Sequence, residues 1–177
     1  GVEDGMNMRF SIQGAPARLV ILAALSAGCA ARGPLVPETG GSAEEPHAVG
    51  TAAGRVLVTW GAVHPDGRAD ILLSGDDFGP VRVNPVPRSA VAGRQVGPRA
   101  AVLPSGRVLV SWVDRARDPA GDILVAASDD GGRTFADPVR VNDDAGRAGQ
   151  EYQDIAVLPG GAVILAWLDE RDATPLD

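Results

Sequence analysis

The sequence predicts an all-β fold of the β-propeller type, made of repeated units of four short antiparallel strands. The main observation is a repeat at intervals of roughly 50 residues: Gly-Arg-Val-Leu-Val-Thr-Trp at 54–60 returns, with changes, at 106–112 and 161–167. Short runs rich in β-branched residues alternate with Gly, Pro, Asp and Ser turn signals, and no stretch beyond the N-terminal region holds a helical period over three turns. Four strands in each repeat of this length are typical of a propeller blade.

Each unit is predicted to hold its four strands in the same order. The first is the apolar run before a Gly turn, as at 100–104, and the second is the run that ends in the repeated tryptophan. The third opens with Asp-Ile-Leu at 70–72 and 122–124, and the fourth is Pro-Val-Arg-Val-Asn at 80–84 and 138–142. Near-continuous apolar inner strands suit sheets that neighbouring blades cover on both faces, so we expect the tryptophans to pack between blades.

The predicted blades cover about 48–90, 96–148 and 152–177, and the last has room for only two strands. The chain therefore holds about two and a half blades, whereas closed propellers typically have four to eight. We expect it to be the N-terminal part of a longer propeller.

The N-terminal region, 1–29, resembles an export signal of the bacterial lipoprotein type. Arg9 and Arg18 provide positive charge, 19–25 is a short apolar run, and small residues precede Cys29. The run is too short for a permanent membrane-spanning helix, so Cys29 is predicted to carry a lipid anchor. The alternative is a plain secretory signal with an incidental cysteine. Residues 1–7 precede Met8, the more natural start, with Met6 as the alternative.

Residues 30–47 are rich in Pro, Gly, Glu and Ala and are predicted to form a flexible tether. Together with the signal they place the folded domain at the bacterial cell envelope, attached to the membrane through Cys29 and facing the periplasm or the cell surface. With Cys29 consumed, the remaining chain has no cysteine and no disulfide.

Charge and composition exclude several classes of function. The formal net charge of −7, with no basic cluster, argues against a nucleic-acid partner. His47 and His64 are isolated, and the acidic pairs have no calcium-loop spacing, so no metal site is predicted. No nucleotide-binding or other cofactor motif is present, and no cofactor is expected.

One turn-forming segment, 128–135, carries a family signal. It combines Ser128, Asp130, Gly132, Thr134 and Phe135 between two predicted strands. The serine and aspartate side chains suit acceptance of N–H groups of their own turn, and the glycine suits a positive φ. This segment resembles the Asp-box, or BNR repeat, of sialidases and other Asp-box β-propellers. In that family the Asp-box is a structural turn at the periphery.

The resemblance implies an exported glycoside hydrolase, most specifically an exo-sialidase acting on sialylated glycans. Arg99 and Arg117 would then bind the sialic acid carboxylate, and Asp118 or Asp122 would be the acid/base. Tyr152 is not assigned as nucleophile, because the family's nucleophile lies in a late blade. The alternatives stay open: these charges are ordinary loop charges, and the protein is a non-catalytic propeller that binds glycans or proteins at the envelope.

Overall fold

The computed structural model describes residues 42–145 and 148–172, and within these ranges the chain forms ten β-strands and no helix. The strands are β1 (Ser42–Gly50), β2 (Val56–Val63), β3 (Ala69–Gly75), β4 (Phe78–Arg82), β5 (Arg99–Val102), β6 (Val108–Asp114), β7 (Asp122–Ser128), β8 (Val139–Arg140), β9 (Gln150–Val157) and β10 (Val163–Asp169).

The strands form three antiparallel sheets in which each strand pairs with the next one along the chain. The first sheet has the order β1-β2-β3-β4, the second β5-β6-β7-β8, and the third contains β9 and β10. This is the repeated four-stranded unit predicted from the sequence, and the all-β fold class is confirmed. Short hairpin turns between neighbours explain the antiparallel order, since a parallel pair needs a longer crossover.

One predicted boundary is wrong at the start of the domain. Residues 42–47, which composition assigned to the tether, form the first part of β1 and pair with β2, with Ser42 opposite Val63 and His47 opposite Thr59. The polar Glu-Glu-Pro segment gave no strand signal, because β1 lies at the edge of its sheet and its polar side chains can reach solvent. The signal, Cys29 and the remaining tether at 30–41 lie outside the described residues. Among described residues, no helix is long and apolar enough to span a membrane.

The first two sheets have the same turns in the same order, and this accounts for the Gly-Arg pairs. Gly54 and Gly106 close the turn after the first strand with φ of 73° and 87°, a conformation that costs little only for glycine. The arginine that follows reaches the turn after the third strand: Arg55 Nη1 lies 2.6 Å from Asp77, and Arg107 binds Asp129 through two N–H groups at 2.6 and 2.8 Å. Both hairpins of a sheet are thereby joined at one end.

The main core lies between the first and second sheets. Its largest buried members include Leu57 and Leu73 from the first sheet and Val110 and Trp112 from the second. A second core joins the second and third sheets, where Trp167 packs against Val113 and its neighbours. In both cases the repeated tryptophan faces the preceding sheet, so its ring fills the space between two units.

The 128–135 turn is closed by side-chain hydrogen bonds. Ser128 Oγ accepts from Gly132 N at 2.8 Å and donates to Asp130 Oδ1 at 2.7 Å. Asp130 also accepts from Thr134 N at 2.9 Å and from Thr134 Oγ1 at 2.6 Å. These bonds, with those from Thr134 first, hold the pKa of Asp130 well below its usual range.

The same turn also links two sheets. Arg133 lies 4.9 Å from the centroid of the Phe78 ring, and its Nη2 is 2.6 Å from Asp77, both in the first sheet's last hairpin. Phe135 packs against the core between the sheets. The segment therefore stabilises the architecture at the end of the sheets that the Gly-Arg turns occupy.

Candidate functional site

The candidate site begins with one position that recurs in the first strand of every sheet. His47 on β1, Arg99 on β5 and Asp154 on β9 each lie opposite the residue that precedes the repeated tryptophan. The three positions are therefore equivalent in the repeat, yet each holds a polar or charged side chain. A position that only packed sheets together would be expected to be apolar.

The structure brings these three side chains next to one another across sheets. His47 Nδ1 accepts a hydrogen bond from the backbone N–H of Ala100 at 3.1 Å. Arg99 Nε lies 3.9 Å from Asp154 Oδ1, and Arg99 Nη1 donates to Pro98 O at 3.1 Å. The Arg99 side chain is 25% exposed and that of Asp154 is 76% exposed. Together they form a partly solvated polar row along the first strands, which we call the inner row.

The environment of the inner row keeps its imidazole neutral. Burial lowers the pKa of His47, the positive charge of Arg99 lowers it further, and Asp154 acts in the opposite direction. A neutral ring is also what the geometry requires, because Nδ1 must be unprotonated to accept the Ala100 N–H. At neutral pH the row therefore contains one firm positive charge, on Arg99, and one carboxylate.

The first and third sheets each have a bulge next to the inner row. In β1 and β9 the register shifts just before His47 and Asp154, so two residues oppose one. The first bulge residue has positive φ in both: 49° at Glu45 and 56° at Tyr152. Such backbone conformations are unfavourable for these side chains and cluster at functional sites.

Side-chain hydrogen bonds hold the two bulges. Glu45 Oε1 accepts from the backbone N–H of Gln95 at 2.8 Å. In β9, the buried Gln153 side chain donates to Gly97 O at 2.8 Å, while Tyr152 beside it is half exposed. Sequence reasoning missed both bulges, because register is a property of two paired strands.

Asp122, one of the two acid/base candidates, lies in a buried structural network. Its carboxylate accepts from Arg140 Nε at 2.6 Å and from Asn142 Nδ2 at 3.0 Å. Asn142 Oδ1 in turn accepts the Ile123 N–H at 2.9 Å. The network ties the start of β7 to the segment after β8.

The first sheet has the same contact between an aspartate and an asparagine, which we call the Asp–Asn latch. Asn84 Nδ2 donates to Asp70 Oδ1 at 3.3 Å, and Asn84 Oδ1 accepts the Ile71 N–H at 2.8 Å. The signal was visible in the sequence as recurring Asp-Ile and Val-Asn pairs in both repeats. Their joint recurrence indicates that the aspartate and the asparagine meet.

The other residues predicted for the site lie apart from the inner row. Arg117 is exposed in the loop between β6 and β7, and Asp118 caps a turn there by accepting the Ala120 N–H at 2.9 Å. Arg99 and Asp122 lie on strands separated by β6, with Cα atoms roughly 14 Å apart by strand spacing and rise. Of the predicted set, the structure places Arg99 in the inner row and Asp122 in the latch.

No described group of three or more His, Cys, Asp and Glu side chains is arranged to hold a metal ion.

Comparison with known proteins provides a structural likeness. No protein-family model and no curated protein matches the chain. Among solved structures it is similar to an α-L-arabinanase from Penicillium chrysogenum complexed with arabinobiose, with a TM-score of 0.51 and 21% identity. The fold is a β-propeller. The match covers 73% of this chain and 42% of the arabinanase, so the propeller part described here spans less than half of that enzyme.

Proposed function

We propose that this propeller protein is a glycoside hydrolase that recognises an acidic sugar at the inner row, with sialylated glycans as the substrate class. The observation that carries the proposal is the position of Arg99, whose charged side chain occupies a partly exposed, repeat-equivalent place beside His47 and Asp154. The likeness to an arabinanase supports glycan chemistry for this type of propeller, and the resemblance of 128–135 to the Asp-box supports the sialidase assignment.

Arg99 is engaged more weakly than the arginines that form close ion pairs in this structure. Arg107, Arg140 and Arg171 each have a carboxylate oxygen within 2.7 Å, whereas the described carboxylate partner of Arg99 is 3.9 Å away. A guanidinium has five N–H donors in a planar fork that matches a carboxylate. Arg99 therefore retains donors for the carboxylate of an acidic sugar.

A carboxylate on a first strand is better placed for proton transfer than Asp122. Asp154 lies beside Arg99 and is largely exposed. Asp122 is buried and bound by Arg140 and Asn142, so it would have to leave its network to reach a substrate. We assign Asp154 as the first candidate acid/base in this proposal.

The second candidate function is non-catalytic binding of a glycan or an envelope protein by the same row. The engagement of Asp122 favours it, since one carboxylate expected for catalysis serves the fold instead. Binding needs only the hydrogen-bonding row, whereas hydrolysis needs a proton donor as well.

A substrate panel separates the two functions. The protein is incubated with a fluorogenic sialoside and, as a neutral comparison, a fluorogenic α-L-arabinofuranoside. We expect hydrolysis of the sialoside, a drop of about 10- to 100-fold in kcat/KM for Arg99→Ala from the lost charged hydrogen bonds, and a loss of kcat for Asp154→Asn. Arg82→Ala, an exposed arginine on the outer strand β4, is the control.

The outcomes are distinct. Binding of sialyllactose without hydrolysis would favour the non-catalytic function. Hydrolysis that is unchanged in Arg99→Ala would remove the inner row as the site, and hydrolysis of the arabinofuranoside alone would remove the acidic-sugar specificity.

We further propose export and anchoring of the protein to the bacterial envelope through Cys29. The charged start, the short apolar run and the small residues before Cys29 support this. A clickable fatty acid fed to expressing cells should label the protein, and Cys29→Ser should abolish the label. Label that persists in Cys29→Ser would show that the anchor is elsewhere.

A further inference from the structure

Tyr152 is the one aromatic residue among the described residues whose ring lies outside the hydrophobic cores, and it is 50% exposed. The other described aromatic side chains belong to these cores or pack against them: Trp60, Phe78, Trp112, Phe135 and Trp167. An aromatic ring buries a large apolar area when a ligand covers it, and rings beside a few polar groups are typical of ligand sites. Tyr152 is therefore a candidate ligand-binding residue.

The backbone at Tyr152 is unfavourable for a tyrosine. Its φ of 56° lies in the left-handed region, which glycine adopts at little cost and a residue with a Cβ does not. If the bulge served the fold alone, glycine would satisfy it better. Strained conformations of this kind cluster at positions that hold ligands, so the strain indicates a use for the ring itself.

Tyr152 lies at one end of the inner row. It precedes Asp154 by two residues, which is at most roughly 7 Å along an extended strand. Gln153 between them is buried and donates to Gly97 O at 2.8 Å, so this part of β9 lies against the residue two before Arg99. Tyr152 is therefore within reach of a ligand that Arg99 binds.

Glu45 approaches Gly97 from the first sheet, as Gln153 does from the third. A Cβ placed on Gly97 would be 2.2 Å from Glu45 Cβ, so the glutamate side chain packs directly over this glycine. Glu45 Oε1 accepts the Gln95 N–H at 2.8 Å, and a carboxylate with two oxygens has further acceptor sites. Glu45 and Tyr152 occupy equivalent bulge positions of the first and third sheets, and we call them the bulge pair.

The bulge pair and the inner row differ in charge. Arg99 gives the row a positive group for a carboxylate, whereas the bulge pair offers a carboxylate and an aromatic face, which carries partial negative charge. Glu151 beside Tyr152 adds a second carboxylate, which lies 3.5 Å from Arg115 Nη2. An acidic sugar is unfavourable at the bulge pair, but a neutral sugar has C–H groups that pack on the ring and hydroxyls that donate to a carboxylate.

We propose that the bulge pair binds a neutral sugar joined to the acidic sugar at Arg99, so that the site recognises two neighbouring units of a glycan. The Tyr152 ring packs against the C–H face of the neutral sugar, and Glu45 accepts a hydrogen bond from one of its hydroxyls. The pair sets specificity for the longer ligand and takes no part in proton transfer. The inference rests on the proposed recognition of an acidic sugar at the inner row.

Binding of two ligands of different length tests the proposal. Affinities for sialyllactose and for the methyl glycoside of sialic acid, which lacks the neutral sugars, are measured by titration calorimetry. Tyr152→Gly removes the ring and relieves the strained φ, so a loss of affinity in this variant does not come from added backbone strain. It should bind sialyllactose about 5- to 20-fold more weakly and the methyl glycoside as tightly as wild type. Tyr152→Phe, which keeps the ring, is the matched control and should bind both ligands as wild type does.

The outcomes distinguish this inference from the proposed function. A selective loss for sialyllactose in Tyr152→Gly, with wild-type binding in Tyr152→Phe, supports the inference. Equal affinities of wild type for the two ligands, an equal loss for both ligands in Tyr152→Gly, or no loss at all would overturn it. The proposed function stands in these cases if Arg99→Ala weakens binding of the methyl glycoside. If wild type binds neither ligand, the proposed function and this inference both fail.

Discussion

At the scale of single residues, protonation of the His47 side chain makes the stability of the fold depend on pH. Its folded-state pKa is lowered by burial and Arg99, so between that value and about 6.5 the unfolded chain binds a proton that the folded chain does not. The contribution of His47 to stability is complete above about 6.5 and is lost as the pH falls through this window. The loss includes the hydrogen bond from Ala100 N, which a protonated Nδ1 cannot accept.

We therefore expect His47→Asn to reduce the loss of stability on acidification, since an amide oxygen can accept the same N–H without titrating. Urea unfolding between pH 5 and 7 measures the slope of the free energy of unfolding against pH. His64→Gln is the control, because His64 lies in a different contact, 2.9 Å from Asp70. An identical slope in wild type and His47→Asn would contradict the assignment.

Substitution of two glycines distinguishes the free-energy cost of backbone strain from the cost of steric crowding. Gly106 has φ of 87° with nothing within 4 Å of an added Cβ, whereas at Gly132, with φ of 98°, a Cβ would lie 2.8 Å from Leu73 Cδ2. We expect Gly106→Ala to cost roughly 1–2 kcal/mol from backbone strain alone. Gly132→Ala should cost about 1–3 kcal/mol more, because the methyl group intrudes on the first sheet. Equal losses in the free energy of unfolding, measured with urea, would show that the two sheets shift to accommodate the added methyl group.

At the scale of elements, the Asp–Asn latch explains why the Asp-Ile and Val-Asn pairs recur together in two repeats. In two sheets an aspartate that opens the third strand meets an asparagine that follows the fourth, and the asparagine also accepts a backbone N–H. The latch fixes the loop that leads to the next sheet, so it controls how consecutive sheets are connected.

Removal of this latch should destabilise the fold without directly affecting chemistry. Asn142→Ala leaves the Ile123 N–H without its partner and removes one of the two hydrogen bonds to Asp122 Oδ1, which keeps the bond from Arg140 Nε. The change should cost about 1–3 kcal/mol in urea unfolding. Asp122→Asn should also be less stable, while its kcat/KM per folded molecule stays near that of wild type. A stable Asp122→Asn protein without activity would instead return Asp122 to the acid/base role.

At the scale of the whole molecule, the exposed apolar residues of β10 predict the behaviour of the 177-residue chain in solution. With Ile164 and Leu168 exposed and the edge of β10 unpaired in the described structure, the chain should bind a hydrophobic dye and self-associate in sedimentation velocity. The double variant Ile164→Lys/Leu168→Lys should suppress both effects, and Val139→Lys should change them little. A dye-free monomer with a sharp melt would contradict this.

The extent of prediction from sequence differs between fold and site. The repeat of the tryptophan segment predicted the antiparallel units and the packing of Trp112 and Trp167 between sheets, because alternation and turn residues are read over a few positions. The start of β1 was missed since its polar residues resemble a tether when no partner strand is known. Within the site, Arg99 was selected from a family resemblance, whereas His47 and Asp154 were not.

The class of the fold, the order of the strands and the turns that join them can be predicted from the sequence, since they depend on local preferences and on a repeat that is visible in it. Which charges meet depends instead on how the sheets pack. His47 accepts the Ala100 N–H and Arg99 approaches Asp154 because equivalent positions of the three sheets lie side by side. Asp122 is bound by Arg140 and Asn142 because the third and fourth strands of its sheet pair. Such contacts join residues far apart in the chain, and their partners follow from register and packing that no short stretch of sequence contains.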